Sequence, residues 1–384
     1  MRRRQLTSAL VALLLAGIAM VVLPRHGDTA GWRDTFSPTL PPPSGAHEVG
    51  VRRMRLVDHD RRDPWRPDSD RTLMLDVHYP ADAGHRPLAH YAVAPAMTEF
   101  GYLAWAPGEE RRLGLLPDEV NWMFRTHSHE WAPPAGGPFP VLVGSPPPGV
   151  TRTAYTGIAE ELASHGYVVV TVDHPFDTPV VDLYPTRRVI EPTDAVATVS
   201  RAEADTTRIA DIAYVTSRLT ELDRQLSPVL DPRRIGLFGW TSADATARAR
   251  LAGLPGVSGI ADTTGAARVT GTGTVPLLAV GGSPAADQSG TDQRGAKRRG
   301  WRATVTVPGA SPRSLTDDGV VLTQIARRYP RTEPVVRQDV GAAQPLAYRT
   351  VRRALVGFFG HHLGGTPAGT FGMESGVTVD LATP

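Results

Sequence analysis

The chain contains no cysteine. That excludes disulfides, a lipoprotein anchor, thiolate metal sites and a cysteine nucleophile. Lysine is nearly absent as well: Lys297 stands alone among 41 basic residues, so almost all positive charge is arginine. Net charge is only +2 over 384 residues, and no basic tract concentrates it. That leaves no electrostatic case for nucleic acid as a partner. No internal repeat is visible. Long apolar runs are missing except at the start, where Met1–Arg4 is charged and Gln5–Pro24 is uncharged and mostly aliphatic. A spanning helix takes about 20 apolar residues, so residues 1–30 read either as a cleaved export signal or as a retained membrane anchor. Asp28–Thr29–Ala30 is the best cleavage candidate. In both cases the rest of the chain is expected outside the cytoplasm, and the membrane is a partner only if the segment is retained.

What remains is rich enough in apolar residues, at 41% of the chain, to build one large domain. Residues 31–45 are Pro-, Ser- and Thr-rich and read as an extended linker. Residues 46–365 carry the domain, and 366–384 a C-terminal tail. Val49–Val51, Met54–Val57 and Leu73–Tyr79 predict early antiparallel strands separated by a turn-rich Arg/Asp/Pro stretch. Residues 81–138 are irregular and aromatic, either a lid over a pocket or a surface insertion. Within them, His127–Ser128–His129 has the spacing that puts two imidazoles on one strand face. A third metal ligand is not evident, and no metal site is expected.

From Pro140 the pattern changes. Pro140–Gly144 predicts a buried strand, Ala154–His165 a helix ended by Gly166, and Tyr167–Val172 a second buried strand. Together they make a parallel strand–helix–strand unit. Ala204–Leu222 predicts a long helix with Ile209, Ile212, Leu219 and Leu222 on one face. Further strands are expected at Val257–Ile260, Val275–Val280 and Ala303–Val307, with a polar loop at Ala286–Gly300. The last helix is expected at Leu346–Leu363, stopped by Gly364–Gly365. The fold class is therefore α/β, a mostly parallel central sheet with helices on both faces.

Arg234–Ala243 is the stretch around which the rest is organised. A short apolar run reaches Gly239, and Ser242–Leu251 then reads as a helix closed by Gly253. Strand, sharp turn and helix are the setting of the G-x-S-x-G nucleophile elbow of α/β-hydrolases. Here the nucleophile position holds Thr241 and the closing glycine is Ala243.

Several further segments carry a resemblance. They are Leu56–Asp58 followed by Arg62–Trp65, Leu75–Pro80, Glu161–Val169, Asp173–Pro175, Ser314–Asp317 and the final Phe358–Gly364. In their order and spacing the chain resembles bacterial α/β-hydrolases similar to platelet-activating factor acetylhydrolase, over roughly Leu40–Gly365. The resemblance implies a carboxyl-ester hydrolase that takes short acyl esters or phospholipids without a cofactor.

The resemblance also assigns positions. Thr241 stands at the nucleophile, and either Asp262 or Thr263 at the acid. Pro312 occupies the position of the catalytic His. No His lies between His174 and His361, although the fold orders its triad Ser, acid, His. His361 and His362 fall in the predicted last helix, a poor place for a base. The oxyanion donors map to Ser242 and to Pro148, and proline has no N–H to give. Losing one such donor costs roughly a hundred- to a thousandfold in turnover. Asp173–His174, at a strand end, is expected to be structural or to wall a pocket, and Trp240 with the aromatic excursion to form either an apolar pocket or ordinary core. The expectation is an exported family member with its catalytic parts replaced. It would be non-catalytic or very weak and keep an apolar pocket for a lipid or ester ligand. The alternative is a residual esterase working through Thr241.

Overall fold

The computed structural model describes residues 35–91, 108–183, 188–241, 245–264, 274–282, 300–366 and 375–382. The chain divides into two units, Met1–Phe36 and Ser37–Pro384, and the sheet and its helices belong to the second. The export or anchor segment expected at the N-terminus lies outside the described residues. Among the described residues no helix is long and apolar enough to cross a membrane.

Among the described residues, one sheet of eleven strands organises the unit. Its parallel centre consists of β5 (Phe139–Ser145), β6 (Val168–Asp173), β9 (Leu230–Gly239), β10 (Val257–Asp262), β11 (Leu277–Gly281) and β12 (Arg302–Thr306). An antiparallel flank follows β6 and is made of β2 (Arg66–Ala81) and β1 (Glu48–Asp63); beyond it lie β4 (Arg125–Glu130) and β3 (Leu88–His90). At the opposite edge β13 (Thr378–Ala382) runs antiparallel to β12, so part of the expected tail extends the sheet. The hairpin of β7 (Val181–Leu183) and β8 (Arg188–Ile190) stands apart. The spatial order β12-β11-β10-β9-β5-β6 reverses chain direction between β5 and β9. In open α/β sheets that switch point is where a crevice forms beyond the strand ends.

Alternation along β5 divides the core. Leu142 packs with α1 (Thr156–Ser164) and α6 (Leu346–His362), against Ile158, Tyr348, Phe358 and Phe359. Val141 and Val143 pack with α2 (Arg201–Ser217) and α3 (Ala245–Ala252), against Ile209, Ile212 and Leu251. Ser145 is in phase with Val141 and Val143, and so faces α2.

Boundaries differ from expectation where side chains satisfy one another. The Arg/Asp-rich stretch after Val57 is a continuation of β1 with a bulge between Asp58 and Arg62. Its charges survive inside a strand because Arg71 reaches Asp63 at 2.8 Å and Arg62 reaches Asp70 at 2.6 Å across the hairpin. Residues 37–45 are docked rather than a free linker: Leu40 is buried and the Ser44 N–H donates to Glu161 at 2.9 Å. Helix α2 starts three residues early, because Ser200 caps it by accepting from the Glu203 N–H at 3.2 Å. Two further helices, α4 (Asp318–Arg328) and α5 (Glu333–Val340), follow β12. The polar loop expected at Ala286–Gly300 lies almost wholly outside the described residues.

Candidate functional site

The ends of β5 and β9 meet at the switch point, with Ser145 paired to Gly239. Gly239 sits at φ +96°, and a Cβ there would lie 2.2 Å from Ser145 O and 2.9 Å from the Tyr155 hydroxyl. Only glycine fits. The next N–H, of Trp240, donates to Ser145 O at 2.6 Å. Trp240 itself is ordinary core, buried beside Leu237 and Leu251.

Thr241 follows, buried. Its hydroxyl donates to Asp262 Oδ2 at 2.7 Å. The other oxygen, Oδ1, accepts the Thr264 N–H at 2.9 Å and the Thr264 hydroxyl at 2.8 Å. Thr263 turns the other way and shares a 3.0 Å hydrogen bond with Tyr155. Of the two acid candidates, Asp262 is thus the one that meets Thr241, and it does so with no imidazole between them. Among the described residues the non-glycine positions with positive φ are Asp118, Trp131 and Phe176. Thr241 is not one of them, so the strained backbone that lifts an elbow nucleophile into its pocket is missing. Ser242 and Ala243 lie outside the described residues.

Pro148 lies in the turn after β5, and Pro312 is exposed at the head of a short turn, Arg313–Leu315. Neither offers an N–H or a titratable group. His361 donates to Thr366 O at 3.1 Å, and His362 rests edge-on against Trp301. His127 and His129 give their ring N–H groups to the carbonyls of Leu40 and Arg86. Among the described residues no group of three His, Asp or Glu side chains could hold a metal.

Sequence reasoning missed a second constellation, which begins at Ser145, the strand partner of Gly239. Asp173 ion-pairs with Arg152, as a structural residue would. His174, however, joins two partners. Its Nε2 lies 3.0 Å from Ser145 Oγ and its Nδ1 2.9 Å from Asp211 Oδ2. All three are buried. Burial lowers the His174 pKa to about 4, Arg208 acting in the same direction against Asp211. Burial alone would raise the Asp211 carboxyl; Arg71 and His174 outweigh it and hold it well below its ordinary value. The imidazole is therefore neutral at pH 7. A carboxylate only accepts, so Nδ1 carries the proton and Nε2 accepts from the Ser145 hydroxyl. The available signal was the pair of strand ends, Gly144–Ser145 and Asp173–His174, but only the sheet order makes them neighbours.

Beyond these strand ends lies a cleft of about 380 Å³, lined in part by Gly149, Val150, Thr151, Val180, Arg112 and Arg313. A smaller, more apolar recess next to it touches Tyr91, Trp122, Val321 and Leu322.

The family model described as platelet-activating factor acetylhydrolase, isoform II, matches residues 37–233. The chain belongs to the platelet-activating factor acetylhydrolase isoform II family. That match ends before the turn at Gly239–Thr241. A relative described as a probable 1-alkyl-2-acetylglycerophosphocholine esterase of Arthroderma benhamiae is 31% identical over 154 residues. The aligned part is 37% of this chain and 38% of that protein, so the chain spans little more than a third of that relative's length. Among solved structures, a ferulic acid esterase from Streptomyces cinnamoneus superposes with a TM-score of 0.66 at 27% identity. The superposition covers 89% of this chain and 99% of the esterase. The fold of this acetylhydrolase-family chain is accordingly the α/β-hydrolase fold.

Proposed function

We propose that this acetylhydrolase-family chain has lost ester hydrolysis at its elbow. The observation that carries this reading is the direct 2.7 Å hydrogen bond from Thr241 to Asp262. A working elbow places an imidazole between nucleophile and acid. In this chain the acid accepts the hydrogen bond of the nucleophile position directly, and a carboxylate is a much weaker base than an imidazole. Pro312 in the place of the His and Pro148 in the place of an oxyanion donor point the same way. The cleft of about 380 Å³ is large enough for a short acyl ester or a lipid headgroup and supports a binding role. The charged Met1–Arg4 and apolar Gln5–Pro24 support export, as a secreted or membrane-anchored protein.

Hydrolysis of a short-chain chromogenic ester by the full chain and by Thr241→Ala tests this. Equal rates support a silent elbow. Turnover that Thr241→Ala abolishes overturns it and makes Thr241 a nucleophile.

A further inference from the structure

The Ser145–His174–Asp211 constellation has the connectivity of a serine-hydrolase triad but sits one strand away from the elbow. Ser145 ends β5 and His174 follows β6; the two strands are parallel neighbours, so their carboxyl ends stand side by side. Asp211 comes down from α2. The chain order is Ser, His, Asp, unlike the order of the fold's usual triad; geometry and roles define such a site, not order. The carboxylate is fixed from behind by Arg71 Nη2 at 2.8 Å and by Arg61 Nη2 at 2.8 Å. It can orient the imidazole without moving.

A second, independent feature faces the same hydroxyl. Arg208 is buried, and its Nη1 donates to Ser145 Oγ at 3.2 Å and to Pro146 O at 2.7 Å, while its Nε pairs with Asp177. The remaining nitrogen, Nη2, is buried with no hydrogen-bond partner. An unpartnered guanidinium N–H inside a protein is costly unless something comes to meet it. Its neighbour Nη1 is already on Ser145 Oγ, so Nη2 lies on the same guanidinium as a donor that touches the hydroxyl and is still free to accept a partner. The Pro146–Pro148 run supplies no backbone N–H for that purpose.

We propose that Ser145 is a nucleophile for a small carboxylic ester, with His174 as its base, Asp211 as the positioning carboxylate and Arg208 as the oxyanion donor. Ser145 Oγ bonds to the carbonyl carbon while its proton passes to His174 Nε2. The bond to the alcohol oxygen breaks as that oxygen takes the proton. Water then attacks the acyl-serine by the same route, returns the proton to Ser145 and releases the acid. Ser145 and His174 are each only 1% exposed. The site therefore admits only a small ester, entering past the Pro146–Gly149 turn, which borders the cleft at Gly149. A nucleophile at Ser145 goes beyond the silent elbow and does not depend on it.

Methanesulfonyl fluoride, a reagent about as small as an acetyl ester that sulfonylates activated serines with loss of fluoride, tests it on the full chain, with adducts located by peptide mass mapping. The expected result is an adduct on Ser145, with labelling slowed at least about 100-fold by His174→Gln and unchanged by Thr241→Ala. Mapping the unsubstituted protein keeps the test valid even if a variant folds poorly. No adduct anywhere overturns the proposal and leaves the elbow reading standing. An adduct on Thr241 in place of Ser145 overturns both.

Discussion

The hydroxyl of Thr241 donates a hydrogen bond to Asp262 across 2.7 Å, where a working elbow would have it donate to a histidine. On the proposal of a silent elbow, the contact is a structural tie and not half of a catalytic pair. With Thr264 it supplies three donors to one buried carboxylate, and so joins the end of β9 to the end of β10. Thr241→Val keeps the shape and removes one donor. A hydrogen bond to a buried charge contributes about 1.5–3 kcal/mol, and the variant is expected to lose about that much in denaturant unfolding while ester turnover is unchanged. A catalytic threonine would lose turnover as well.

His174 makes the fold sensitive to mild acid. Its pKa is lowered to about 4 in the folded protein, while in the unfolded chain it sits near the ordinary value of about 6.5. Between those limits the unfolded chain binds a proton that the folded one refuses, so stability is full above about pH 6.5 and falls as pH drops toward about 4. The groups facing the imidazole are Asp211 and Arg208 from α2, Arg71 from β2 and Ser145 from β5. The shift corresponds to roughly 3 kcal/mol for this residue. His78, also buried and lowered to about 4, adds to the same window. Thermal unfolding across that range should show a weaker pH dependence in His174→Gln than in the unsubstituted chain. Parallel curves would place the acid sensitivity elsewhere.

How far the sequence reached depended on whether a signal was local. The apolar runs of β5, β6 and β9 and the stripe of α6 were legible, since buried parallel strands and an amphipathic helix announce themselves over a few residues. The end of β1 was not: Asp58, Arg61 and Arg62 resemble a turn until Arg71, Asp70 and Asp211 are seen across from them. Helix α4 carries a local pattern in Val321, Leu322 and Ile325, all buried, but it is short, and Gly319 in its first turn weakens the sequence signal. At the site, the Gly239–Thr241 setting was visible in the residues themselves. The choice between Asp262 and Thr263 was not, because it turns on which side of β10 each faces. Least legible was Ser145: a serine before three prolines looks like a loop residue until β6 brings His174 alongside it and α2 covers both.

Asp317 holds three elements together. Its Oδ2 accepts the Gly157 N–H of α1 at 2.8 Å, its Oδ1 lies 2.8 Å from the Tyr348 hydroxyl of α6, and its own N–H donates to Ala154 O. The side chain is fully buried, and burial pushes the carboxyl well above its ordinary value, with Glu160 and Asp318 adding to the rise against the Gly157 and Tyr348 hydrogen bonds. A raised acid favours the protonated folded form. Its stabilising share is therefore complete below the unfolded value of about 3.9 and is lost as pH rises through the folded pKa. Asn has the shape of the neutral acid: its oxygen can accept from Gly157 and its amide can donate to the Tyr348 oxygen. Asp317→Asn is thus expected to melt close to the unsubstituted protein at about pH 5 and above it at about pH 8, with the gap widening as pH rises. Asp317→Ala, which strands the Gly157 N–H and the Tyr348 hydroxyl in the core, should be destabilised at both pH values, by about 1–3 kcal/mol for each unsatisfied group. If Asp317→Asn instead loses stability most at the higher pH, Asp317 acts as a buried anion, and its two hydrogen bonds outweigh burial in setting its charge.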